Sequence, residues 1–249
     1  MESLWNLVWR ARGDTYRTIV VAVLVALGIR TFLFEPFNIP SGSMKPTLLV
    51  GDYLFVSKMR YGYSRHSFPW SLGPFSGRVL GSAPERGEVA VFKTPADDRT
   101  DFIKRVIGLP GDRIQLRGGV LYLNGEAVPR EPIGEGPEGS CWNNKRAAVY
   151  RETLPNGVSY ETWDCGLSAL HRPGVFTVPP GHFFMMGDNR DNSSDSRNQR
   201  PDGVGYVPLE NFVGRAEIVF VSFDEHSSIF DPGEWGDLIR WSRIGMTID

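Results

Sequence analysis

Residues 18–34 are almost wholly apolar, running from Thr18 through Val20, Val21, Val23, Leu24, Val25, Leu27 and Ile29 to Phe34, with Arg30 as the one charge. As a helix, about 17 such residues cover about 25 Å, a little short of the ~30 Å hydrocarbon core of a bilayer. Arg30 lies near one end, where its long side chain can reach the headgroups. A cleaved leader would need a small-residue site after the apolar core, and Phe32, Leu33, Phe34, Glu35 and Pro36 do not provide one. A core helix of a soluble protein carries a single apolar stripe, whereas this segment is apolar on every face. The sequence therefore predicts an uncleaved membrane anchor. Trp5 and Trp9 upstream suit an interface. Arg10, Arg12 and Arg17 flank the segment on its N-terminal side, with only Lys45 close on the other. That asymmetry keeps the N-terminus in the cytoplasm and sends the rest across.

Beyond the anchor the pattern is β. Short runs at residues 53–56, 88–92, 102–107, 175–178, 182–186 and 217–221 read as strands, and 28 glycines and 18 prolines favour many turns over long helices. Residues 61–84 read as a loop or flap. From Arg113 to about Gly174 the texture changes to short hairpins. Gly118-Gly119 and Asn124-Gly125 are two-residue hairpin turns, and Pro155, Asn156 and Gly157 mark a third. Cys141 and Cys165 flank that third hairpin, so they are either bridged, in an oxidising compartment, or two buried thiols. The tail around Trp235 and Trp241, with Arg240 and Arg243, suits either a headgroup-facing segment or an amphipathic surface helix.

Several chemistries are disfavoured. A net charge of −2, without a basic stripe, gives no sign of nucleic acid. His66, His171, His182 and His226 show no metal-ligand spacing. The polar loop from Gly187 to Arg197 is rich in acids. A calcium loop starting at Asp188 would put Ser193 where glycine is required and Gln199 where glutamate is required. Such a loop is better read as held rigid by its own charges in order to position something.

One serine stands out. Ile39 before Pro40 is extended chain, Gly42 permits a sharp bend, and Ser43 follows it. A serine nucleophile needs a base, and no histidine comes with a recognisable partner acid. Lys45 sits in an exposed-looking turn and reads as a solvated charge. Lys104 lies on an apolar strand and shares a face with Phe102 and Val106. Only about 0.04% of an ordinary lysine is neutral at pH 7, and partial burial would raise that fraction. Ser43 with Lys104 is the best pair available.

Three blocks in order carry a resemblance: residues 37–52, with Phe37, Ile39, Pro40, Ser41, Gly42, Ser43 and Met44; residues 102–112, around Ile103, Lys104 and Arg105; and residues 186–197, from Met186 to Arg197. Together with the closing Val213, Gly214, Arg215 and Ala216, they resemble the bacterial type I signal peptidases. The resemblance implies a mostly β fold: an antiparallel-sheet catalytic domain with an inserted smaller β subdomain, preceded by one transmembrane helix. The expected boundaries are 1–17 cytoplasmic, 18–36 anchor, 37–112 and 175–249 catalytic domain, and 113–174 insert. The implied activity is removal of signal peptides from exported preproteins after small residues of the Ala-x-Ala type, at the outer face of a bacterial plasma membrane, without metal or cofactor.

The resemblance also implies roles: Ser43 as nucleophile, Lys104 as general base, and an oxyanion met by the Ser43 backbone N–H and the Ser41 hydroxyl. Ser193 would orient Lys104, Asp195 and Arg197 would brace the loop, and Asp188 would pair with Arg105. Phe37, Ile39 and Ile103 would line shallow substrate pockets. Lys45 and Phe102 depart from the usual residues, and residues 113–174 match nothing recognisable. A pilus or conjugation maturation peptidase with the same dyad, and an inactive membrane-anchored assembly module, are the alternatives.

Overall fold

A computed structural model describes residues 4–68, 71, 73, 76–166, 174–225 and 238–248. His171, His226 and Trp235 lie outside them. One long helix, α1 (Leu4–Phe32), precedes fourteen strands. Its stretch Thr15–Phe32 has a mean hydropathy of 1.5, and none of its residues is fully buried. Ile19, Leu24, Val25 and Leu27 all stand exposed, as they would in a helix whose solvent is lipid.

The helix stops short of the apolar run that predicted it. Phe34 already belongs to β1 (Phe34–Asn38), paired with β2 (Asp52–Ser57) from Phe34 opposite Ser57 to Asn38 opposite Tyr53. The expected anchor of 18–36 is corrected to a helix ending at Phe32: strand pairing captures the last residues, and Pro36 could not donate to a helix in any case. The joint is tied on both sides. Glu35 accepts from Arg30 at 3.2 Å and meets Lys58 at 2.8 Å, and the buried Lys58 also donates to the Ser67 carbonyl at 2.6 Å. The Tyr63 hydroxyl donates to the Phe32 carbonyl at 2.7 Å, while the Phe32 ring meets Tyr63 and Phe68 edge-on.

The large sheet has the order β1-β2-β14-β3-β4-β12-β13. Its members are β3 (Val89–Lys93), β4 (Asp101–Gly108), β12 (His182–Met186), β13 (Val207–Pro208) and the long β14 (Phe212–Ser222). All its pairings are antiparallel. β14 pairs with β2 along one half and β3 along the other, with register shifts in both ladders that bend the strand and curl the sheet. Within the curl, Ile39, Met44, Leu48, Leu54, Val89, Ala216 and Val219 form one apolar cluster, and Phe92, Val106, Phe183, Met185 and Phe212 another.

The segment after β4 folds back as two smaller sheets. One has the order β11-β5-β6-β7, from β5 (Arg113–Arg117), β6 (Val120–Leu123), β7 (Glu126–Ala127) and β11 (Val175–Thr177). The other has the order β10-β9-β8, from β8 (Arg130–Glu135), β9 (Ala148–Thr153) and β10 (Ser159–Asp164). The glycine pairs turn where the sequence placed them: Gly118 and Gly119 between β5 and β6, both with positive φ, and Asn124-Gly125 between β6 and β7. Residue 175 is not where the large sheet resumes. β11 pairs with β5, Val175 opposite Gln115, and the return comes with His182. The inserted subdomain packs directly on the large sheet, Ile107, Phe184 and Met186 sharing one core with Ile114, Leu116, Leu121 and Tyr160. Cys141 and Cys165 are joined in a disulfide, with Cα atoms 5.7 Å apart.

Among the described residues of the 61–84 loop, a capped turn at Arg65–Ser67, a bridge between Tyr63 and Val79, and Arg78, whose guanidinium donates to the carbonyls of Tyr61, Gly62, Leu209 and Phe212, tie the segment to the sheet. In the tail, residues 238–248 form no amphipathic helix. Arg240 donates to the Val50 and Phe223 carbonyls, and Arg243 grips Asp52 at 2.6 and 2.9 Å. Both arginines turn toward the protein, where their guanidinium groups meet these carbonyls and the buried Asp52 carboxylate.

Candidate active site

β1 leads out of the helix joint, and Ile39 prolongs its ladder: the Ile39 N–H donates to Asp52 at 2.8 Å and the Ile39 carbonyl accepts from Gly51 at 3.0 Å. Ser41 is still extended, and the chain then bends through one 3-10 turn, Gly42–Met44. Met44 and Leu48 anchor this turn in the core. Ser43 is held at its crest with 7% of its surface exposed.

Lys104 arrives from the middle of β4. It is 3% exposed, and its Nζ lies 2.7 Å from Ser43 Oγ and 2.8 Å from the Ile103 carbonyl. Burial lowers its pKa to about 8, although Asp195 and Asp188 pull the other way. At pH 7 about a tenth of such amines are neutral, about 250-fold more than for an ordinary lysine. Ser41 Oγ is 3.4 Å from Ser43 Oγ on the exposed side of the bend.

The 187–197 loop packs behind this pair. Burial raises the Asp195 carboxyl, but Arg197, bonded to both its oxygens at 2.8 Å, and the Gly187 N–H at 3.0 Å outweigh it and hold the group below the usual carboxylate range. Asp188 receives Arg105 at 3.0 and 2.8 Å, both side chains fully buried, so two opposite charges satisfy each other where water cannot. Ser193 departs from the expected arrangement. Its Oγ is buried beside Asp195 and helps hold that carboxyl down, yet no hydrogen bond joins it to Lys104, which is aimed by Ser43 and the Ile103 carbonyl instead. Ile39 is buried in the core, and Ile103 bridges it to a second cluster holding Phe37, Val91 and Val213. Lys45 is not simply solvated, for its Nζ pairs with Glu225 at 3.0 Å.

A family model described as signal peptidase, peptidase S26, matches residues 12–221. The chain belongs to this family. Signal peptidase I of Rickettsia typhi is 40% identical over 92% of this chain and 91% of its own length. The same enzyme of Rickettsia canadensis is 39% identical over 86% and 81%. A crystal structure of a signal peptidase I from Enterococcus faecalis covers 54% of this chain and 97% of its own, at 28% identity and a TM-score of 0.32. The chain is thus a peptidase of the signal peptidase family, with one helix among the described residues long and apolar enough to cross a membrane.

Against the family's frame, four residues join the site that sequence reasoning passed over. Asn189 donates from its backbone to the Ser43 carbonyl at 3.1 Å and from its side chain to the Gly42 carbonyl at 3.0 Å, pinning both ends of the bend. Gly187 is forced: any Cβ there would run into Ser193 Oγ and the Ser43 carbonyl. Thr47 donates to Asp188 at 2.5 Å. Glu152, from the insert, takes Arg190. Gly187 and Asn189 could have been found from their place in the polar loop. Glu152 sits in no recognisable motif.

Proposed function

We propose that this protein is a membrane-anchored serine endopeptidase that removes signal peptides from exported preproteins, using Ser43 and Lys104 as a dyad. The reading rests above all on the 2.7 Å approach of Lys104 Nζ to Ser43 Oγ inside a buried site. Neutral Lys104 takes the Ser43 proton as Oγ attacks the scissile carbonyl carbon. The oxyanion is met by the Ser43 N–H and the Ser41 hydroxyl. As the C–N bond breaks, the Lys104 ammonium returns the proton to the leaving amine, and the signal peptide remains as an ester on Ser43. Water, deprotonated by Lys104, then attacks the ester and frees the peptide as its carboxylate.

The substrate lies extended along the free edge of β1, with main-chain hydrogen bonds holding it. Small residues of the Ala-x-Ala type are selected by the half-buried apolar surface of Phe37 and Ile103, with Ile39 packed in the core beneath them. Ser193 supports Lys104 through the loop, and Asp195, Arg197, Asp188 and Arg105 keep that loop in place. Helix α1 spans the membrane once with the N-terminus in the cytoplasm, the β domain standing outside with its insert. Purified wild type, Ser43→Ala and Lys104→Ala are to be compared on one Ala-x-Ala preprotein. Both variants are expected to be inactive, and cleavage by either overturns the dyad. A panel of preproteins separates a general peptidase, which processes many, from a pilus-specific one.

A further inference from the structure

Among the described residues, one ion pair joins the insert to the 187–197 loop with both partners out of water. Glu152 on β9 is 0% exposed and accepts Arg190 Nη1 at 2.9 Å and Nη2 at 2.5 Å. The Tyr160 hydroxyl on β10 donates to the same carboxylate at 2.9 Å and accepts from Arg190 at 3.2 Å. Burial and the Glu152 charge push the Tyr160 phenol up, so it remains a donor at every working pH. The Tyr160 ring also lies beneath Arg105, 4.3 Å from its guanidinium.

The backbone repeats the connection. Trp163 on β10 bridges Asn189 in parallel, its N–H donating to the Asp188 carbonyl and its carbonyl accepting from Arg190, both at 2.9 Å. The Cys165 N–H, beside the disulfide, donates to Asp191 at 2.6 Å. On its other side the same loop holds the Ser43 bend through Asn189 and faces Lys104 with Asp195 and Asp188. The Arg190 carbonyl receives Arg197 at 2.6 Å, and Arg197 holds Asp195. A path of charge-assisted bonds therefore runs from Glu152 to the groups around the base.

We infer that Glu152, together with Tyr160, is a positioning residue for the reaction: through Arg190 the inserted subdomain fixes the 187–197 loop over Lys104 and against the Ser43 bend. This rests on the Ser43–Lys104 reading above. The charges acting on Lys104 are Asp195, Asp188 and Arg197, all from that loop. Its chain neighbour Arg105 is neutralised by Asp188, and Lys45 on the Ser43 bend is taken up by Glu225. A loosened loop admits water to an amine whose proton affinity is lowered chiefly by burial, and that affinity rises.

The test is kcat/KM against pH for the full chain in detergent, on an Ala-x-Ala preprotein, with wild type, Glu152→Gln, Tyr160→Phe and Lys104→Ala. In Glu152→Gln the acid limb is expected to move up by about one pH unit, so that activity falls about tenfold at pH 7 and recovers by pH 10. Tyr160→Phe keeps the ion pair and the ring but removes one bond to Glu152, and its limb moves the same way by less. A rate lowered equally at every pH with the limb unmoved, in variants that keep their melting transition, overturns the inference. So does a downward shift, which would mean the freed Arg190 charge acts on the base directly. Should Glu152→Gln not fold, Tyr160→Phe decides alone. Activity in Lys104→Ala would instead sink the dyad and leave the limb to another group.

Discussion

Replacing Lys104 by methionine is expected to abolish cleavage and yet make the protein more stable at pH 7. Lys104 is 3% exposed and its pKa falls from 10.5 to about 8 on folding. A lowered folded-state value means that the unfolded chain holds the proton more tightly. Below about pH 8 the fold therefore carries the whole penalty, and stability rises as pH climbs from 8 to 10.5. The shift corresponds to about 3 kcal/mol. Against this stand the bonds to Ser43 and the Ile103 carbonyl, worth about 0.5–1.5 kcal/mol each. Methionine, similar in length and uncharged, escapes the penalty and forfeits the bonds. The variant should gain about 1–2 kcal/mol at pH 7 and lose that advantage above pH 10.5. Denaturant melts of both proteins at pH 7, 9 and 11 measure it. A methionine variant less stable at pH 7, by the same margin at pH 11, would show that the lysine is not penalised by burial.

Other substitutions probe the surroundings. Gly187→Ala, which drives a methyl group into the Ser43 carbonyl and Ser193, should cut kcat/KM about a hundredfold with little change in circular dichroism; near-wild-type kinetics would mean that the loop yields easily. Asp188→Asn leaves the buried Arg105 without a counter-charge and should destabilise the fold by about 3–5 kcal/mol, read from the denaturation midpoint. Changing Cys141 and Cys165 together to serine removes a bridge across 24 residues, and a loss of about 3 kcal/mol is expected in the same assay.

What the sequence made legible followed local rules. Strands bounded by glycine turns were readable because two-residue hairpins admit few residue types, and Gly118-Gly119 and Asn124-Gly125 turn as expected. Ser43 and Lys104 are 61 residues apart, and each was marked by its own setting, a bend after proline and a charge among apolar neighbours. Where competition between elements decides, the sequence was silent. The apolar run continues to Phe34, but pairing with Ser57 ends the helix at Phe32. The partner of Arg190 is Glu152, 38 residues upstream, and an ion pair at that range leaves no periodic trace. Arg240 and Arg243 suited a headgroup-facing tail by composition, while the carbonyls of Val50 and Phe223 and the buried Asp52 carboxylate take them up.

The tie of Glu35 to both Arg30 and Lys58 makes the joint between helix and sheet a fixed origin. From it, the five residues of β1 lead towards the serine bend, a distance of about 17 Å in extended chain. On the proposed reading, with α1 in the bilayer and substrate along β1, that strand works as a gauge. A substrate laid along its free edge, with its own apolar segment still in lipid, would spend about eight extended residues, the length of the extended chain through Ser41, before its peptide bond comes level with Ser43. Side chains then decide which bond is cut among the one or two that the gauge brings within reach. Lengthening β1, or cutting Glu35 free, would move the point of cleavage without touching the chemistry.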